Sequence, residues 1–126
     1  MIGYVTVGTN DLEKAVTFYD SLLAELGAGR FMQEDSFVAW AITPDKPAFS
    51  VSRPFDGMPA TLGNGSMTAF AVDSTEDVDR LYAKAMQLGA TDEGAPGPRS
   101  EGFYAAYFRD LDGNKLNVFF AEMPES

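Results

Sequence analysis

The sequence has 126 residues, of which 45% are hydrophobic and 13% aromatic, so one compact domain with a substantial core is expected. Nineteen acidic against nine basic residues give a net charge of -10, which disfavours binding to nucleic acid and to anionic membranes. The sequence has no cysteine, which excludes disulfides and thiolate nucleophiles, and no histidine, which excludes an imidazole base and an imidazole metal ligand. We therefore expect a soluble, cytoplasmic protein with no nucleic-acid or membrane partner.

The sequence of the first half predicts one strand, then one helix, then three more strands. An alternating run at residues 2–8 predicts a strand, and apolar residues at helical spacing follow it until Gly27. Asn10 or Asp11 supplies the expected N-cap of this helix. Three turn-bounded runs then predict antiparallel strands, at residues 31–34, 37–43 and 48–53.

The second half repeats this order after a segment rich in proline and glycine at residues 54–65. Its predicted elements are a strand at 66–72, a helix at 74–89, a weak strand at 91–94 and a hairpin at 103–121. Overlaying the halves at an offset of 63 residues places Tyr4 on Met67 and Tyr19 on Tyr82. The sequence therefore predicts an internal duplication of a β-α-β-β-β unit.

The closing hairpin has a definite predicted register. Residues 110–114 (DLDGN) combine Asx and glycine residues, which favour a tight reversal, so Arg109 should pair with Lys115. Tyr107 then lies opposite Asn117, on the face of the last strand that is not wholly aliphatic.

This duplication, together with the runs NDLEKA at 10–15 and FRDLDGN at 108–114, resembles the vicinal oxygen chelate superfamily. That superfamily includes glyoxalases, extradiol dioxygenases, fosfomycin-resistance enzymes and bleomycin-binding proteins. The resemblance implies an α+β fold of two tandem β-α-β-β-β modules, each a cupped mixed sheet with a helix on its outer face. The whole chain, 1–126, would form one such domain, with module one at 1–53, a linker at 54–65 and module two at 66–122.

Metal-dependent members of the superfamily carry one ligand on the first and last strand of each module, usually histidine or glutamate. The positions that match in this chain are Tyr4, Ser50, Met67 and Asn117. Phenol, hydroxyl, thioether and amide groups are poor ligands for a divalent catalytic metal. We therefore predict no metal at this site, no cofactor and no assignable catalytic residue.

Strand alternation and the resemblance together predict which side chains line the cleft. They are Tyr4, Thr6, Trp40, Ser50, Ser52, Met67, Tyr107, Asn117 and Phe119. Trp40 would be a stacking wall for a planar ligand, although a core position is the alternative for a lone strand tryptophan. Arg53 and Arg99 flank segments rich in proline and glycine, and each would either meet an anionic group at the cleft mouth or remain solvated at the surface, which is the favoured role.

The favoured hypothesis is a metal-free small-molecule binding protein, similar to the bleomycin-resistance and glyoxalase-like group, that holds an aromatic or cationic ligand in the cupped cleft. The first alternative is a glyoxalase-like lyase, isomerase or dioxygenase with a non-standard or absent metal site. The second is a protein-interaction module whose cleft is filled by side chains. Because bleomycin-binding relatives bind their ligand between two chains, the resemblance also implies a homodimer.

Overall fold

The computed structural model of the chain describes residues 1–122, which divide into two compact units between Asn64 and Gly65. The first unit contains β1 (Tyr4–Gly8), α1 (Leu12–Ala24), β2 (Gly29–Gln33), β3 (Phe37–Ala41) and β4 (Ala48–Ser52). The second unit contains β5 (Thr68–Ala71), α2 (Thr75–Gln87), β6 (Thr91–Ser100), β7 (Phe103–Arg109) and β8 (Lys115–Ala121).

The two units share one topology. In the first the strand order is β1-β4-β3-β2, and in the second it is β5-β8-β7-β6. The outer first strand of each unit runs parallel to the last strand, and the remaining pairs are antiparallel. The predicted α+β fold of two tandem β-α-β-β-β modules is therefore confirmed.

Helix α1 covers one face of the first sheet. Asp11 is its N-cap, since the carboxylate accepts a hydrogen bond from the backbone N of Lys14 at 3.1 Å. Asn10, the other candidate cap, instead exchanges two hydrogen bonds with the backbone of Ala60, of 2.7 and 3.1 Å. The apolar stripe of the helix faces the sheet, where the fully buried Tyr19 ring lies 4.8 Å from the ring of Phe49.

Helix α2 covers its own sheet in the same way. Ser74 caps it by accepting a hydrogen bond from the backbone N of Asp77 at 3.1 Å. Its buried residues Val78, Leu81 and Ala85 pack on the β7–β8 side of the second unit. Neither α1 nor α2, the helices among residues 1–122, is long and apolar enough to cross a membrane.

The closing hairpin has the register predicted from its sequence. Arg109 pairs with Lys115, and Tyr107 lies opposite Asn117. Strand β6, in contrast, extends well beyond the predicted 91–94, because three irregularities in its pairing let the proline- and glycine-rich segment follow β7.

Asp110 stabilises the turn of this hairpin. Its Oδ1 accepts hydrogen bonds from the backbone N of Asp112 and of Asn114, both at 2.9 Å. Its Oδ2 accepts a third, of 3.0 Å, from the Asn114 side chain, and Gly113 supplies the positive φ of 95° that the turn requires. The most distinctive motif of the sequence therefore has a structural role here.

Candidate functional site

The face of the first sheet opposite α1 contains a cavity of about 380 Å³. Its lining residues are Tyr4, Thr6, Met32, Phe37, Ala39, Ser50 and Ser52. A volume of this size is within the range of small-molecule sites.

Strand pairing explains how the floor of the cavity is assembled. Thr6 on β1 pairs with Ser50 on β4, Ser50 pairs with Ala39 on β3, and Ala39 pairs with Met32 on β2. These four residues form one row across the sheet, and their side chains share a face because directly paired residues of neighbouring strands point to the same side. The small methyl group of Ala39 at the middle of the row leaves space above the sheet.

The hydroxyl groups on the floor are hydrogen-bonded to each other and to the backbone. Ser50 Oγ donates to the carbonyl oxygen of Val5 at 3.2 Å and lies 2.6 Å from Thr6 Oγ1. A serine has one hydroxyl proton, so in the arrangement in which Ser50 donates to Val5, Thr6 donates in the shorter contact. Ser52 Oγ donates to the carbonyl oxygen of Arg53 at 2.7 Å. The floor consequently offers a ligand hydrogen-bond acceptors, and none of the lining residues is charged.

Above this floor stand larger apolar groups. Tyr4 and Phe37 contribute aromatic rings, and Met32 contributes a thioether that is half exposed. Aromatic faces attract cations and stack on planar groups, and thioethers adapt to irregular shapes. The cavity therefore combines polar acceptors below with polarisable walls at its sides.

Four of the predicted cleft residues line this cavity: Tyr4, Thr6, Ser50 and Ser52. Three lining residues were not predicted, namely Met32, Phe37 and Ala39. In the β3 sequence FVAWA both alternating sets are apolar, so the pattern alone does not identify the cavity face. Met32 reaches that face because the pairing of β2 with β3 shifts between Arg30 and Met32.

The prediction that Trp40 lines the cleft is wrong. Trp40 is 1% exposed and lies on the α1 side of the sheet, with its ring 5.7 Å from that of Tyr19. Its Nε1 donates to Asp20 Oδ1 at 2.8 Å, and Asp20 Oδ2 lies 2.6 Å from Arg30 Nη2. The hydrogen bond from Arg30 lowers the pKa of Asp20, against the effect of burial, and the Trp40 hydrogen bond adds to the lowering. This polar cluster fixes Trp40 in the core.

The other predicted residues belong to the second unit and do not line the cavity of the first. Met67 precedes β5 and is half exposed. Asn117, opposite Tyr107, is 2% exposed, and its Nδ2 donates to the carbonyl oxygen of Ala106 at 3.1 Å. Phe119 stacks on Phe103 with ring centroids 5.5 Å apart.

The positions that match the superfamily's metal ligands do not have suitable donors. Ser50 offers a hydroxyl that donates to Val5, Asn117 offers a neutral amide whose Nδ2 donates to Ala106, and Tyr4 and Met67 offer a phenol and a thioether. No group of three or more histidine, cysteine, aspartate or glutamate side chains within residues 1–122 could hold a metal ion. The residues present do not fit a divalent catalytic metal.

Residues 1–118 match the family model of the Glyoxalase/Bleomycin resistance protein/Dioxygenase superfamily. Among solved structures, a glyoxalase/bleomycin resistance protein from Albidiferax ferrireducens T118 is 40% identical, with a TM-score of 0.89, over 97% of this chain and 99% of that one. No curated protein matches.

Two more distant structures share the fold. A glyoxalase/bleomycin resistance protein/dioxygenase family enzyme from Burkholderia phytofirmans PsJN is 21% identical, with a TM-score of 0.76, over 95% of this chain and 98% of that one. A lactoylglutathione lyase from Agrobacterium tumefaciens is 19% identical, with a TM-score of 0.69, over 95% of this chain and 92% of that one.

Proposed function

The chain belongs to the Glyoxalase/Bleomycin resistance protein/Dioxygenase superfamily, and from this premise we propose that it is a metal-free small-molecule binding protein. The observation that carries the proposal is the cavity of the first unit, with its uncharged hydroxyl floor and its aromatic and thioether walls. The presence of this cavity argues against the alternative of a protein-interaction module whose cleft is filled by side chains.

The chemistry of the lining favours an aromatic or cationic ligand that carries a hydrogen-bond donor. In the arrangement in which Ser50 donates to Val5 and Thr6 donates to Ser50, both hydroxyl protons are used and a ligand finds acceptors on the floor. The rings of Tyr4 and Phe37 favour a flat or positively charged group beside them. The net charge of -10 also raises the local concentration of cations and slows the approach of anions.

Activities that depend on a chelated metal do not follow from family membership. Such reactions need a metal that polarises substrate oxygens, and this chain has phenol, hydroxyl, thioether and amide groups where ligands are required. The lactoylglutathione lyase from Agrobacterium tumefaciens is similar in fold alone at 19% identity, so its activity is not transferred to this chain.

A thermal-shift screen of tag-free protein against aromatic and cationic small molecules tests the proposal, because a ligand that binds the native state raises the unfolding midpoint. The decisive variant is Ala39→Phe, which fills the middle of the cavity without removing a polar group. Ala41→Phe is the matched control, since it makes the same change two residues along β3 at a position outside the lining. Any compound that stabilises the natural protein should stabilise the control and lose its effect on Ala39→Phe. Equal stabilisation of both variants would contradict a ligand in this cavity.

The homodimer implied by the resemblance is part of the same proposal. Sedimentation equilibrium of the tag-free chain measures it directly. A mass of twice 13.6 kDa is expected, and a stable monomer at all concentrations would contradict it.

A further inference from the structure

The second unit contains a cationic cluster centred on the ring of Tyr107. The Cζ of Arg99 and the Nζ of Lys115 each lie 5.5 Å from the centroid of this ring, so the two cations are within about 11 Å of each other. Two cations at one side chain are notable in a chain with nine basic residues and a net charge of -10.

The backbone of β6 makes room for the guanidinium of Arg99. Its Nη2 donates to the carbonyl oxygen of Ala95 at 2.6 Å, which directs the side chain back along the strand. A Cβ at Gly94 would lie 3.3 Å from Nη2 and 3.2 Å from Tyr107 Cδ2, and a Cβ at Gly97 would lie 3.1 Å from Nη1. The two glycines thus leave the space in which Arg99 lies against Tyr107.

These cations lack the acidic partners that other cations of the unit have. Arg109, which shares the sheet face with Tyr107, is 2.6 Å from Glu93, and Arg80 is 2.8 Å from Asp77. Neither Arg99 nor Lys115 forms an ion pair with a carboxylate in the described part of the chain.

The hydroxyl of Tyr107 is also uncommitted. Tyr82 and Tyr104 of the same unit donate to carboxylates, Asp92 and Asp79 respectively, each at 2.8 Å. The Tyr107 hydroxyl has no hydrogen-bond partner among residues 1–122. The ring of Tyr107 is therefore flanked by the Arg99 guanidinium, one nitrogen of which is bound to Ala95, and by the Lys115 ammonium, and its own hydroxyl is a further donor.

We propose that Arg99, Lys115 and the Tyr107 hydroxyl form a binding site for a small oxyanion with two negative charges. Arginine binds carboxylate or phosphate oxygens through its planar fork, and lysine supplies a compact second charge. At physiological salt, charges farther away than about 8 Å are largely screened, so the distant acidic residues of the chain weaken this site less than their number suggests. This inference is independent of the proposed function, since all of its residues lie in the second unit and the cavity is built from the first.

The experiment is a titration of the isotopically labelled natural chain, followed by amide chemical shifts, with succinate in one arm and inorganic phosphate in the other. Sodium chloride at equal ionic strength and sodium acetate are the reference salts. We expect saturable shifts at Gly94, Gly97 and Lys115 with at least one dianion, and weaker binding of acetate. Shifts that do not saturate with either dianion, or that chloride reproduces, would overturn the proposal, and acetate binding equal to the dianions would overturn its charge assignment.

Variants locate the site. Arg99→Gln and Lys115→Gln should each weaken binding by about tenfold, the loss of one charged hydrogen bond, and Tyr107→Phe should weaken it less. Lys84→Gln, which removes the same charge from α2 of the same unit, is the matched control and should bind as the natural chain does. If Lys84→Gln weakened binding as much as Arg99→Gln, the effect would be one of overall charge and the site would be refuted. Arg99 lies on β6 and Lys115 on β8. If one of the two variants fails to fold, the other still tests the site.

Discussion

Thr6 Oγ1 and Ser50 Oγ lie 2.6 Å apart and join the two parallel strands of the first sheet by a side-chain hydrogen bond. With Ser50 donating onward to Val5, the pair forms a short chain that ends on the backbone. In the repeated unit the corresponding backbone pair is Ala69 and Asn117, and Asn117 donates to the backbone as well. At both positions of the last strand, a polar side chain donates a hydrogen bond to the backbone of its own sheet.

The hydrogen-bonded pair should contribute measurably to stability. Ser50→Ala removes the acceptor of Thr6 and the donor to Val5 at a position that is 4% exposed. We expect a loss of about 1–2 kcal/mol in the free energy of unfolding, measured by urea denaturation. Ser52→Ala is the control, because its hydroxyl is more exposed and bonds only to the adjacent residue, and it should cost less. Equal losses would show that the pair has no special role.

The Asp20 carboxylate should make stability depend on acid pH. Its folded-state pKa is lowered, first by Arg30, so its contribution is complete above the ordinary value of 3.8 and is lost as the pH falls from there through the lowered pKa. Since the Arg30 pair is about 40% exposed, we expect Asp20→Asn to cost below about 1 kcal/mol at neutral pH. The difference in the free energy of unfolding between Asp20→Asn and the natural chain should decrease as the pH is lowered. A difference in the free energy of unfolding that stays constant on acidification would contradict this role of the Asp20 carboxylate.

Truncating the turn residue Asp110 should destabilise the second unit. Asp110→Ala leaves two backbone N–H groups and the Asn114 amide without their acceptor, at an estimated cost of about 2–3 kcal/mol in chemical denaturation. Leu111→Ala, a change at the exposed tip of the same turn, should have a much smaller effect. If Asp110→Ala lowered the free energy of unfolding no more than Leu111→Ala, the turn would not depend on this carboxylate.

Substitution of Trp40 should lower the stability of the protein and leave ligand binding unchanged. Trp40→Phe removes buried volume and the hydrogen bond to Asp20, so a loss of about 2 kcal/mol is expected. A compound that binds the natural protein should keep its affinity for the variant, because Trp40 lies on the opposite side of the sheet from the cavity. A strong drop in affinity, with the fold intact, would show that the ligand depends on Trp40 after all.

The parts of the fold that the sequence predicts best are those with one polar and one apolar face. Leu116 and Val118 alternate with Lys115 and Asn117, and the register of their hairpin follows from that pattern and the turn at Asp110. Strand β3 is apolar on both faces, so its sequence does not show that Trp40 packs under α1. Only the packed structure distinguishes the two faces.

Local irregularity limits the prediction of the sites. The register shift in β2 brings Met32 into the cavity, and the irregular pairing of β6 brings Arg99 beside Tyr107. Neither irregularity can be read from the alternation of polar and apolar residues, because one inserted residue reverses the side-chain alternation that follows it. The hydroxyl residues Thr6 and Ser50 could be placed because their strands are regular.

The central claim, a small-molecule site that needs no metal, is tested most directly by the unfolding midpoint of tag-free protein dialysed against a chelator. One arm adds zinc, nickel or manganese, and the other adds the aromatic cation benzylammonium, whose N–H groups are hydrogen-bond donors, as a probe of the cavity. Binding to the native state must raise the midpoint. The account predicts a rise with the organic cation, abolished in Ala39→Phe, and no rise with any of the metals at equimolar concentration. A rise with an equimolar metal, abolished by substituting Tyr4, Ser50 or Asn117, would contradict it.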